Sequence, residues 1–137
     1  MGTVTLYRPV GLCEAELIVE SGYSAFPPRL PEQPIFYPVF TMQYAEQIAR
    51  DWNSKDAASG YVGIVTRFRV EREYVRRFEA HVVGLEAVHQ ELWVPAEELD
   101  QFNRHIVGKI EFVAVHYGPD YTGPIIPIES RRAGEES

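Results

Sequence analysis

The apolar positions of the chain fall into short runs of strand type separated by helical stretches. Residues 3–7 (TVTLY) are β-branched and apolar, which predicts a strand close to the start. A short helix follows over 13–20, with Ala15, Leu17, Ile18 and Val19 as its apolar members; Ser21-Gly22 ends it, since glycine takes the left-handed conformation at little cost. Four prolines in 25–34 (AFPPRLPEQP) remove backbone donors, so this segment reads as an ordered loop or a mobile flap. Residues 35–40 (IFYPVF) predict a strand, with Pro38 demoting part of it to an edge or a bulge.

Thr41 is placed to cap a helix over 42–52, whose apolar face is Tyr44, Ala45, Ile48, Ala49 and Trp52. The longest strand candidate is 61–70 (YVGIVTRFRV), with a short polar helix over 71–77 after it. Further strands are predicted over 80–83, 89–94 and 109–117. Between the last two, Pro95 and the acids behind it open a helix that turns Leu99 and Phe102 inward. Strands outnumber helices in the order β-α-β-α-β-α-β-β-α-β. This is an α+β pattern: two packed, mostly antiparallel sheets with flanking helices. It forms a single domain over 1–117, and 118–137 reads as an extended tail with a disordered tip.

Composition adds exclusions. Apolar residues make up 45% of the 137 and charged residues 24%, which excludes a disordered chain, a collagen and a coiled-coil rod. A net charge of -7 argues against unassisted tight binding to nucleic acid. No basic segment leads into an apolar run at the start, and no run is long enough for a membrane span, so a soluble cytoplasmic chain is expected. Cys13 is alone, so no internal disulfide can form; a lone cysteine at a helix start reads as a small buried side chain rather than a nucleophile. The histidines, His81, His89, His105 and His116, have no zinc-site spacing, and no metal is expected. The common nucleotide-loop, nucleophile-elbow and zinc-protease motifs are missing.

Three features carry candidate chemistry. Arg8 stands at the predicted exit of the first strand, where its fork can hold a phosphate or fix a loop. Phe36-Tyr37, with Thr41 and Tyr44 behind them, can stack a planar ring or pack the core. In His89-Gln90-Glu91, strand alternation puts His89 and Glu91 on one face; a carboxylate beside an imidazole suits a cleft, or a surface edge strand.

Taken in order, these three features resemble the mono-ADP-ribosyltransferase superfamily, the fold of cholera-toxin-like and diphtheria-toxin-like catalytic domains. Leu6-Tyr7-Arg8 is similar to the opening strand of the Arg–Ser–Glu branch, Ser21-Gly22 to the glycine turn after it, and Phe36-Tyr37 with Ala45 to the second motif. His89-Gln90-Glu91 resembles the terminal motif that ends on the catalytic glutamate. The second motif departs from Ser-Thr-Ser: the matching stretch is Tyr37-Pro38-Val39, closer to diphtheria-like sequences.

The resemblance implies an ADP-ribosyltransferase-like fold with an NAD cleft lined by both Arg8 and Glu91. NAD would be the substrate. Arg8 and Arg29 would hold its pyrophosphate, and Tyr37, with Tyr44 and Thr41 nearby, its nicotinamide. Glu91 would stabilise the ribosyl cation, and His89 would meet the acceptor, which is a protein, a nucleic acid or a small molecule. An NAD glycohydrolase and a catalytically degenerate nucleotide- or partner-binding module are the rival readings. A small acidic immunity protein for a toxin is another.

Overall fold

The structure, a computed structural model, describes residues 2–78, 80–82 and 90–128. Its spine is a three-stranded antiparallel sheet of β1 (Thr3–Val10), β3 (Val62–Glu71) and β7 (Ile106–Tyr117), with β3 in the middle. The first half of this central strand, from Val62 to Val65, is buried on both faces and is apolar throughout, whereas in its second half Arg67, Arg69 and Glu71 alternate with buried Phe68 and Val70. One face, bearing Leu6, Val10, Ile64, Phe68 and Val70, belongs to the larger core, with Ile18 of helix α1 (Leu12–Glu20) and an aromatic knot of Phe26, Phe36 and Phe102. The other face carries Val65 against Tyr44, Ala45 and Ala49 of helix α2 (Met42–Asp51). Gly63 makes that contact possible, because a Cβ there would lie 2.7 Å from Ala49 Cα.

Two short ladders complete the fold: β2 (Ile35–Phe36) with β6 (Val94–Pro95), and β4 (Ala80–Val82) with β5 (Gln90–Leu92). A single residue joins them to the main sheet. Val39 exchanges both backbone bonds with Tyr7, at 2.9 and 2.7 Å, and lies directly opposite Glu91 on its other side. Pro38 and Phe40 carry that second seam, through Leu92 N–H to Pro38 O and Phe40 N–H to Gln90 O. The remaining helices are short: α3 (Arg72–Val75) and α4 (Leu99–Arg104), the latter burying Leu99 and Phe102.

The α+β class with antiparallel sheets holds. Several bounds differ from the expected ones. The first strand runs on to Val10, so Arg8 sits inside it and pairs with Thr66, rather than at its exit. The strand expected over 35–40 is a two-residue ladder and then the isolated Val39, bridged on both sides, because Pro38 has no N–H to continue the ladder. Trp52 lies just past the end of α2 and is 65% exposed instead of packed inward. Cys13 is exposed, not buried. The loop over 25–34 is irregular but tied down: Phe26 is buried, and the Asn103 side chain makes both a donor and an acceptor bond to the Phe26 backbone. From Gly118 to Ile128 the chain forms no helix or strand, and the tip of the expected tail, the last nine residues, lies outside the described part. Among the described residues no helix is long and apolar enough to cross a membrane.

Candidate functional site

At the C-terminal end of β1 the main sheet and the short ladders diverge beyond the Tyr7–Val39 bridge. A pocket of about 370 Å³ opens beside that split. Arg8, Glu14, Arg29, Tyr37 and Trp52 line it, with Asn53, Asp56 and Ser59. Arg8 leaves β1 on the same side as Leu6 and Val10, so its charge meets apolar neighbours. Burying it alone would be costly. Glu14, in the first turn of α1, compensates with a two-pronged bond: Nε to Oε2 at 2.9 Å and Nη2 to Oε1 at 3.1 Å. The guanidinium also lies 4.8 Å from the centre of the Phe36 ring and 5.9 Å from that of Tyr37.

Arg29 comes from the proline-rich loop. Its Nε is buried and has no hydrogen-bond partner among the described residues. Burial first, and then the like charge of Arg8, lower its pKa, while Glu14 and Tyr37 pull it back up. Two guanidinium groups share this pocket, and Glu14 is the carboxylate that acts on both, which leaves room for an anion beside them.

Glu91 sits on the second seam. Tyr44 donates its hydroxyl to Glu91 Oε2 at 2.6 Å, and Trp93 donates its indole N–H to Oε1 at 3.0 Å. Burial, followed by the bond to Glu91 and the charge of that carboxylate, raises the Tyr44 pKa. Thr41 contributes indirectly: its hydroxyl accepts the Tyr44 N–H at 3.1 Å and so fixes the first turn from which Tyr44 projects.

The expected pairing of Arg8 and Glu91 in one cleft is therefore only half realised. Tyr7, Val39 and Glu91 stand in one row, so their side chains share the α2 face, with Tyr7 and Glu91 about 10 Å apart by strand spacing. Arg8, one residue on, turns to the opposite face. The pocket is lined by Arg8 and not by Glu91. Tyr37 connects the two halves. It lines the pocket, feels the charge of Arg29, and also contributes to the raised Tyr44 pKa. Thus Arg8, Arg29 and Tyr37 come together, Tyr44 and Glu91 come together, and Thr41 supports the latter pair. His89 lies outside the described residues.

Sequence reasoning missed Glu14, Trp93 and the Asn53, Asp56, Ser59 group. Trp93 was accessible to it, since strand alternation puts Glu91 and Trp93 on one side. Glu14 was not, because only the turn at Gly11 brings it back over Arg8. A Cβ on Gly11 would lie 2.7 Å from Ser59 Cα, so that turn is packed directly on the 3-10 turn Ala57–Ser59. Among the described residues no cluster of His, Cys, Asp and Glu could hold a metal ion. No family model matches the chain, and comparisons with curated proteins and with solved structures find no significant match.

Proposed function

We propose that the chain binds NAD across the Tyr37 seam, cleaves its nicotinamide–ribose bond and passes the ADP-ribose to an acceptor, within an ADP-ribosyltransferase-like fold. One observation carries the reading. Glu91 is a carboxylate held by two donors, and one of them, Tyr44, interacts electrostatically with Tyr37, which lines the pocket of the two arginines.

The chemistry asks little of acid catalysis. The nicotinamide departs with the bonding electron pair and leaves as a neutral ring, so positive charge grows on the ribose. Glu91 supplies the fixed negative charge that stabilises it. Tyr44 and Trp93 hold both carboxylate oxygens in place, so no reorganisation is needed as the bond breaks. Arg29 and Arg8 neutralise the pyrophosphate, and Tyr37 offers its face to the planar ring. The acceptor adds to the ribose and gives up its proton; His89 is the base this reading assigns.

A second reading, a nucleotide-binding module without turnover, is favoured by the Arg8 fork being filled by Glu14. Nicotinamide release from NAD separates the two. The transferase reading expects release by the wild type and a fall of at least about a hundredfold in Glu91→Gln, with NAD affinity nearly unchanged. NAD binding without nicotinamide release selects the binding module instead.

A further inference from the structure

One stretch of the pocket wall is built of groups that accept hydrogen bonds. Asn53 Nδ2 donates to Ser59 Oγ at 3.0 Å, and Ser59 Oγ donates on to Asp56 Oδ2 at 2.8 Å. This relay uses one amide N–H of Asn53 and the hydroxyl of Ser59 inside the wall. Asn53 is only 8% exposed, and its Oδ1 is buried with no partner among the described residues. An orphaned buried carbonyl is expensive, and here it belongs to a residue that lines the pocket. Asp56 adds a carboxylate that accepts the Ser59 hydroxyl at Oδ2. Both groups call for O–H or N–H donors and repel anions. The packing of Gly11 on Ser59 keeps this wall against the β1–α1 junction that carries Arg8 and Glu14.

A ligand that satisfies the whole pocket carries hydroxyl donors a short way from an anion. We propose that Asn53, Asp56 and Ser59 form a subsite for a ribose with free 2′- and 3′-hydroxyls next to a pyrophosphate, and that Asp56 rejects the same sugar when it is phosphorylated at the 2′ position. Carboxylates recognise ribose hydroxyls in this way on other folds. This rests on the dinucleotide reading above and makes it more specific. Glu91 lies on the other side of Tyr37 and is assigned to the reacting ribose, so the subsite takes the adenosine ribose.

The test uses calorimetric titration of the full chain with probes that are not turned over: ADP-ribose, its adenosine-2′-phosphate form and its adenosine-2′-deoxy form. The wild type should bind ADP-ribose at least about thirtyfold more tightly than the 2′-phosphate, from like-charge repulsion in a partly buried pocket. The 2′-deoxy form should bind roughly tenfold more weakly than ADP-ribose, through the lost hydroxyl. Asp56→Asn keeps the shape and the Ser59 bond but removes the charge, and should bring ADP-ribose and the 2′-phosphate within about threefold of each other. If the wild type binds the 2′-phosphate as tightly as ADP-ribose, or if Asp56→Asn leaves their ratio unchanged, the subsite is overturned while nucleotide binding stands. If neither ADP-ribose nor NAD binds, both proposals fall. Should Asp56→Asn not fold, the wild-type comparison with the 2′-phosphate and 2′-deoxy probes decides.

Discussion

The Arg8–Glu14 pair can be taken apart by a double-mutant cycle that tests the structure and the proposed site together. The side chains are 8% and 20% exposed, and the bond is two-pronged. Removing one partner of such a pair leaves a buried charge unanswered, which costs about 3–5 kcal/mol when burial is complete. Glu14 keeps some access to water, so the lower end applies, about 3 kcal/mol for Arg8→Met. Glu14→Met leaves Arg8 facing Arg29 without its counter-charge and should lose at least as much. The double variant replaces the ion pair with apolar side chains of similar length and should lie within about 1 kcal/mol of wild type.

For a chain of 137 residues, each kcal/mol moves Tm by roughly 3–4 °C, so the single variants should melt about 10 °C lower and the double variant only slightly lower. Urea unfolding with matched slopes checks the same numbers. Losses that simply add in the double variant would refute the coupling. The pair uses two of the five guanidinium N–H groups. Glu14→Gln removes the competing charge, so NAD should bind about three- to tenfold more tightly if Arg8 faces the pyrophosphate. Weaker NAD binding in a folded Glu14→Gln variant would exclude Arg8 from that role.

Tyr44→Phe deletes the 2.6 Å bond to Glu91 but leaves Trp93 in place, so nicotinamide release should fall about tenfold, less than in Glu91→Gln. Unchanged release would mean that the bond is only structural. Stability should hold to about pH 10 and then decline. The Tyr44 pKa is raised and that of Tyr74 is pushed up to about 12, so the unfolded chain loses these protons first and gains on the fold as pH climbs between the two values; urea midpoints at pH 8, 10 and 11 measure this, and Tyr74→Phe should flatten the decline. Gly63→Ala puts a methyl 2.7 Å from Ala49 Cα and should destabilise by about 2–3 kcal/mol, as forced overpacking does; a change below about 0.5 kcal/mol would mean that α2 shifts freely on the sheet.

What local pattern controls was legible in the sequence. Thr41 caps α2 as its residue type predicts, and Leu99 and Phe102 turn inward as the period requires. Trp52 fits the same period, but the helix has already ended there, so periodicity alone misplaces it. The first strand was expected to end at Tyr7, yet β1 runs past Pro9 to Val10. In a strand every second residue presents its N–H to the same edge. Tyr7 faces Val39, so Pro9 faces that edge too, beyond the point where pairing stops, and its missing N–H leaves no bond unmade.

The site itself depended on register, which no local pattern contains. Alternation within β1 separates Tyr7 from Arg8, and alternation within β5 separates Glu91 from Leu92. Whether Arg8 and Glu91 then share a face depends on which residues pair, and two bridges at Val39 decide it. Shifting either bridge by one residue would bring the arginine and the glutamate to the same side. With the observed pairing, a ligand that reaches both must pass the edge where Tyr37 stands, between the cationic pocket and the carboxylate. On the β1 side pairing stops at Tyr7–Val39, and Pro9, the next residue on that edge of β1, has no N–H to extend it toward Tyr37. The passage the proposed chemistry needs lies where that pairing stops.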